Sequence, residues 1–164
     1  MDRLALGSLT MNMSNAGLTA GTTTTYTTAA TTAHVINGKF GTTLAAQTNT
    51  ASPTTDVNTG AAFVAQSANQ ACVYVWGVNA AGAIKVAQGS IENTETGVTT
   101  TAGAFIKAPQ FPALPEDFCP IGYSVVRTSP TGSAFTFGST AWAASGITTT
   151  FKNVAVLPDR PQTT

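Results

Sequence analysis

Residues 71–78 read Ala-Cys-Val-Tyr-Val-Trp-Gly-Val, a β-branched and aromatic run without a single charge. Side chains of a strand alternate between its two faces, so this run is apolar on both. A strand of that kind belongs inside a sheet with a layer on each side. Turn chemistry follows at Asn79-Ala80-Ala81-Gly82. In the next segment, residues 83–91, Ile84 and Val86 alternate with Lys85 and Ala87, the period of a half-buried strand. The sequence therefore predicts a β-hairpin that needs partners above, below and at its edges.

Other stretches supply them. Asn37-Gly38 between His34-Val35-Ile36 and Lys39-Phe40 suits a type I′ hairpin turn. Residues 61–65, 121–128, 134–137 and 147–156 read as further strands, and 140–145 as one turn of helix. Residues 47–60, broken by Pro53, read as a loop, and 108–115 as a Pro-rich connector. No apolar pattern at i, i+3, i+4, i+7 lasts long enough for an amphipathic helix. The expected fold is all-β, an antiparallel sandwich or barrel-like domain.

At 164 residues the chain suits one domain with a real core. Residues 1–33, rich in Thr and Ala, offer few large apolar groups beyond Leu4, Leu6, Leu9, Met11, Met13 and Leu18. They are expected to form an extended N-terminal arm on a single β domain over residues 34–164.

Composition narrows the function. Charged residues make up 9% of the chain and the formal net charge is zero, against about 25% charge in ordinary soluble domains. Thr is the commonest residue. Surfaces this poor in ions associate readily, which points to a structural part covered by copies of itself or by a larger assembly. Arg3, Lys39, Lys85, Lys107, Arg127, Lys152 and Arg160 are scattered singly, so no nucleic-acid surface is expected. Neither a signal peptide nor a membrane-spanning run is evident, so synthesis in a reducing cytoplasm is expected. Cys72 and Cys119 then read as free buried thiols, with a single disulfide as the alternative.

Residues able to do chemistry are few. His34 is the sole histidine and stands beside a turn, where a surface or hydrogen-bonding role is the ordinary one. Without a G-x-S-x-G elbow it has no nucleophile to serve, and without further Cys or His at ligand spacing it has no metal to share. The acid pairs Glu92/Glu95 and Glu116/Asp117 fall in turn-like sequence and read as solvated loops rather than a glycosidase pair. Trp76, Tyr26, Tyr74 and Tyr123 read as core; Trp142, among small residues, could instead serve as a stacking platform. No catalytic, cofactor-binding or metal-ligating residue is expected.

Several phrases stand out together: VYVWGVNAAG (73–82), APQFPALP (108–115), PIGYSVV (120–126), FTFGST (135–140) and VLPDRPQ (156–162). In this order they resemble small virion structural proteins of tailed bacteriophages, the head decorations, head fibres and fibre-like appendages. The likeness covers residues 60–164 well and the Thr-rich first third loosely. It implies a β-rich, often trimeric, non-enzymatic protein that binds the major capsid protein on the outer surface of the phage head. The absence of a long shaft repeat favours a capsid decoration or head-fibre protein. Alternatives are a tail-associated, receptor-binding protein using loops such as 47–60 or 129–133, and a carbohydrate-binding module.

Overall fold

The structure, a computed structural model, describes residues 9–163. Its strands are β1 (Met11–Asn12), β2 (Leu18–Ala20), β3 (Thr25–Thr28), β4 (His34–Ile36), β5 (Lys39–Phe40), β6 (Gln47–Ala51), β7 (Gln70–Val78), β8 (Ile84–Gln88), β9 (Glu92–Asn93), β10 (Cys119–Thr128) and β11 (Ile147–Asn153). All pairings between them are antiparallel, and there is no helix among the described residues. The central sheet runs β11-β10-β7-β8, with β9 on the first residues of β7. Two three-stranded sheets, β1-β4-β5 and β2-β3-β6, accompany it. Of the antiparallel sandwich or barrel-like domain expected from the sequence, the all-β antiparallel character is observed, in separate sheets consistent with a sandwich.

β7 sits between β10 and β8, as its doubly apolar run requires. Cys72, Tyr74, Trp76 and Val78 face one core, and Val73 and Val75 face another. The first core is covered by Leu18 and Tyr26 from the β2-β3-β6 sheet together with Phe63, Phe135, Phe137 and Trp142. The second is covered by irregular chain: Phe111 and Leu114 of the Pro-rich connector, with Val154 and Leu157 beyond β11. On β10 a register shift between Pro120 and Gly122 makes Ile121 a bulge. Ile121 thereby reaches the first core while Tyr123 and Val125 serve the second. Gly77 is required by contact: a Cβ there would run into the Phe118 ring and lie 2.7 Å from Cys119 O.

Both predicted hairpins form. Ile36 pairs with Lys39 around Asn37 (φ 51°) and Gly38 (φ 77°), the two left-handed positions of the tight turn. Val78 pairs with Ile84, and the Asn79 side chain accepts from Ala83 N at 2.9 Å to close the longer turn.

Several local expectations are corrected. Residues 47–60 are not all loop, because Gln47–Ala51 is β6, held by pairing to β3. Residues 61–65 form no strand; Ala62 makes one isolated bridge to Thr55. Likewise Phe135 makes only a bridge with Gln66 before the chain turns, so 134–137 is not a strand although Phe135 and Phe137 are buried. Around Trp142 there is a turn, not a helix, because its backbone N–H is donated to Thr23 O at 2.9 Å. The strand expected to reach residue 156 ends at Asn153, after which Ala155 O accepts from Asn12 N.

From Leu9 to Ala33 the presumed arm is extended but is packed into the fold. It supplies β1, β2 and β3, and buries Ala16, Leu18 and Tyr26 in the first core. The expected division at 33/34 is therefore not a boundary of packing. Residues 1–8, with Leu4 and Leu6, lie outside the described residues.

Candidate interaction surface

The β1-β4-β5 sheet carries the most exposed large apolar side chain, Phe40, at 80% exposure. Leu9 (55%), Met13 (53%) and Val156 (58%) are exposed on or beside the same sheet. Backbone bonds hold the segments bearing them. Gly38 N donates to Leu9 O at 2.9 Å, Met13 N to Ala33 O at 2.9 Å, and Asn12 N to Ala155 O at 2.9 Å. Exposed apolar side chains gathered on one fixed element mark a contact surface more readily than the same residues scattered.

The reverse of this sheet is anchored. Asn12, His34 and Ile36 are buried there, while Val35, paired with Phe40 and Met11, is buried on the Phe40 side. His34 Nε2 lies 3.1 Å from Asn79 O, which as a carbonyl can only accept, so this ring nitrogen carries the proton. The ring packs against Gly41, and Nδ1 has no partner among the described residues. Thr42 N donates to Ala80 O at 2.9 Å. Together these contacts fix the β4–β5 hairpin on the β7–β8 turn. The sole histidine is thus a buried structural residue.

Beside Phe40 lies a shallow depression of about 390 Å³ lined by Ile36, Lys39, Gly41, Ala80, Glu116 and Asp117. Glu116 and Asp117 are both exposed on it, but Asp117 Oδ1 accepts from Ala80 N at 2.8 Å and so braces the turn. The other acid pair lies elsewhere: Glu92 is on β9 and accepts from Ser90 Oγ at 2.7 Å, and Glu95 is exposed in the following loop. Among the described residues no three His, Cys, Asp or Glu side chains gather as a metal site would need.

The aromatic residues are core. Trp76, Tyr74 and Tyr123 are fully buried or nearly so, and Tyr26 is buried beside Trp76 at 5.2 Å. Trp142 packs edge-on against Phe137 at 5.3 Å and donates Nε1–H to Thr25 O at 2.7 Å. Its ring faces are occupied by protein, which removes the stacking platform. Burial raises the Tyr74 hydroxyl above its ordinary range, and Gln66 Nε2 donates to it at 3.0 Å.

Cys72 and Cys119 are free and buried. Register places Cys72 opposite Val126 and Cys119 opposite Val78, at opposite ends of the β7–β10 pair. Burial pushes the Cys72 thiol up to about 12 and that of Cys119 up to about 11, so neither presents a thiolate near neutral pH.

Compared with known proteins, the chain matches no family model, no curated protein and no solved structure.

Sequence reasoning placed the β4–β5 hairpin but not the exposure of Phe40. The available signal was local. Phe40 stands between Lys39 and Gly41, with Gly38 and Thr42 two residues away, so its own strand offers no apolar neighbour and only Val35 across the hairpin shares its face.

Proposed function

We propose that the protein is a bacteriophage virion structural protein, a capsid decoration or head-fibre subunit that binds the outside of the assembled head. Its partner is the major capsid protein. The observation that carries the reading is the exposed apolar set of Phe40 on the β1-β4-β5 sheet and Leu9, Met13 and Val156 beside it, the sheet's reverse being anchored to the core. The low charge of the chain supports it, because such a surface gains from being covered. So does the resemblance of residues 60–164 to small phage virion proteins.

Binding in this way stabilises the shell by mass action, since the decoration protein has affinity for assembled capsomers and none for dissociated ones. Phe40 is the anchor, an aromatic side chain whose burial supplies area without the loss of many rotamers. Phe40→Asp should leave the purified protein with the wild-type circular dichroism and melting curve. It should then fail to decorate heads that lack the native copy. Normal occupancy by the variant would reject this face as the docking surface.

A further inference from the structure

The outer edge of β11 carries backbone groups that no neighbouring strand takes up. Two bonds at the ends of the β10–β11 ladder set which groups point outward: Ser129 N to Gly146 O at 2.8 Å and Val154 N to Ile121 O at 3.2 Å. In an antiparallel ladder, bonded pairs alternate with non-bonded ones. Thr148, Thr150 and Lys152 therefore turn their backbone groups toward β10, and Ile147, Thr149, Phe151 and Asn153 turn theirs away.

The outward groups have unequal fates. Asn153 is tied to β2, its side chain accepting from Leu18 N at 2.6 Å and donating to Leu18 O at 3.2 Å. Ile147 N donates to Ala144 O. Thr149 N–H and C=O, Phe151 N–H and C=O, and Ile147 C=O have no bonding partner among the described residues. Beside them runs an open groove of about 450 Å³, bounded by Ala20, Gly21, Thr23 and Trp142. The opposite edge of the sheet is closed: Val57 N donates to Val86 O at 2.9 Å, and Gln88 N donates to Asp56 Oδ1 at 3.0 Å. An unprotected strand edge is a template for another strand.

We propose that two copies join β11 to β11 about a two-fold axis through Thr149. The β2 contact at Asn153 limits the free stretch to Ile147–Phe151, and Thr149 is its midpoint. In this register Thr149 exchanges both backbone bonds with its copy, and Phe151 N–H donates to Ile147 C=O of the other chain. Phe151 lies opposite Ile147, Thr148 opposite Thr150, and Thr149 opposite itself. Aromatic–aliphatic and Thr–Thr cross-strand pairs are favourable ones, and no charge faces a like charge. Lys152 falls opposite Gly146. The edge is self-complementary, which is what an isologous contact requires. The contact closes at two copies and holds wherever on a virion the protein sits, so the trimer implied by the resemblance would need a separate, heterologous contact.

The test is made on the purified full-length protein, with no capsid present. Light scattering and sedimentation over a series on the order of 1–500 µM should show a monomer–dimer equilibrium. Thr149→Pro removes the central outward N–H and no bond to β10. It should weaken dimerisation by about tenfold or more. A second variant does not depend on how Pro is tolerated. Thr148→Cys with Thr150→Cys places thiols in a close non-bonded pair across the axis, and mild oxidant should give a covalent dimer on a non-reducing gel. Buried Cys72 and Cys119 do not compete. A monomer throughout the series with no cross-link would overturn the proposal. So would a trimer that Thr149→Pro leaves unchanged, or capture of β11 by a strand of another protein while the chain itself stays monomeric.

Discussion

The β7–β10 ladder and the β1-β4-β5 sheet are made of similar residues and end in opposite situations. β7 is buried along nearly its whole length, with an aromatic core on one face and a Pro-rich strap on the other. In the small sheet β4 is buried and β5 is fully exposed, with Phe40 at its end. Long strands with apolar side chains on both faces recruit two covering layers from their own chain. A two-residue strand after a tight turn recruits no covering layer, and its apolar side chain is left exposed. Core and exposed apolar surface are thus distinguished by what the chain can reach, not by residue type.

The largest change should come from removing part of the covering layer. Deleting residues 1–33 takes away β1, β2 and β3 and with them Leu18 and Tyr26 from the first core. The loss should exceed the ~5–15 kcal/mol by which a domain of this kind is stable. Circular dichroism should show an unfolded chain; a folded remainder with a cooperative melt would return the segment to the status of a detachable arm.

Next comes the centre of the core. Trp76 is fully buried, with Tyr26 and Phe137 each at 5.2 Å, and donates Nε1–H to Ser124 Oγ at 3.1 Å. Trp76→Ala should cost about 3–5 kcal/mol in chemical denaturation. Phe111→Ala, in the strap on the other face, removes a half-buried ring 5.0 Å from Tyr123 and should cost about 1–2 kcal/mol. Equal costs would show that the strap packs as tightly as the sheet layer opposite.

The thiols give a smaller effect with a defined sign. Cys72 Sγ donates to Gly89 O at 3.3 Å, so a hydroxyl in Cys72→Ser keeps an acceptor and the change should cost about 1 kcal/mol, mainly lost apolar burial. Because burial raises both thiols, the folded state resists their ionisation. Their contribution is complete below the ordinary value of 9.0 and is lost as pH rises toward about 11 and 12. Stability should fall above about pH 9, less steeply in Cys72→Ala, while reductant at pH 7 should leave the melting temperature unchanged.

The smallest effect belongs to the exposed sheet. Phe40→Ser should stay within about 0.5 kcal/mol of wild type, since the ring meets solvent. A larger loss would mean that Phe40 supports the hairpin and is not held out for a partner.

What the sequence disclosed follows the same division. The β7–β8 and β4–β5 hairpins were legible because local turn chemistry and a short-range period specify them, at Asn37-Gly38 and at Asn79 to Gly82. β6 was not legible. Thr48 and Asn49 are exposed, so no alternation marks the strand, and it exists only because β3 pairs with it. Phe135 and Phe137 misled in the other direction: their apolar spacing looks like a strand, yet the chain turns there and both rings fill the core as single wedges. Tyr26 read as core, but the seating of Leu18 and of the whole segment was not legible, because the Thr-rich residues around them lack a continuous apolar face. The exposure of Phe40 was the least legible part, since it depends on which neighbours the fold fails to bring to it.

The functional account is tested most directly by asking where the protein is in the intact particle. If the proposal holds, antibody raised against the purified protein and viewed by electron microscopy should label the head surface of phage particles that carry it. Heads carrying only the Phe40→Asp variant should lose that label. Virions without label, or with label confined to the tail, would contradict a head decoration protein docked through the β1-β4-β5 face.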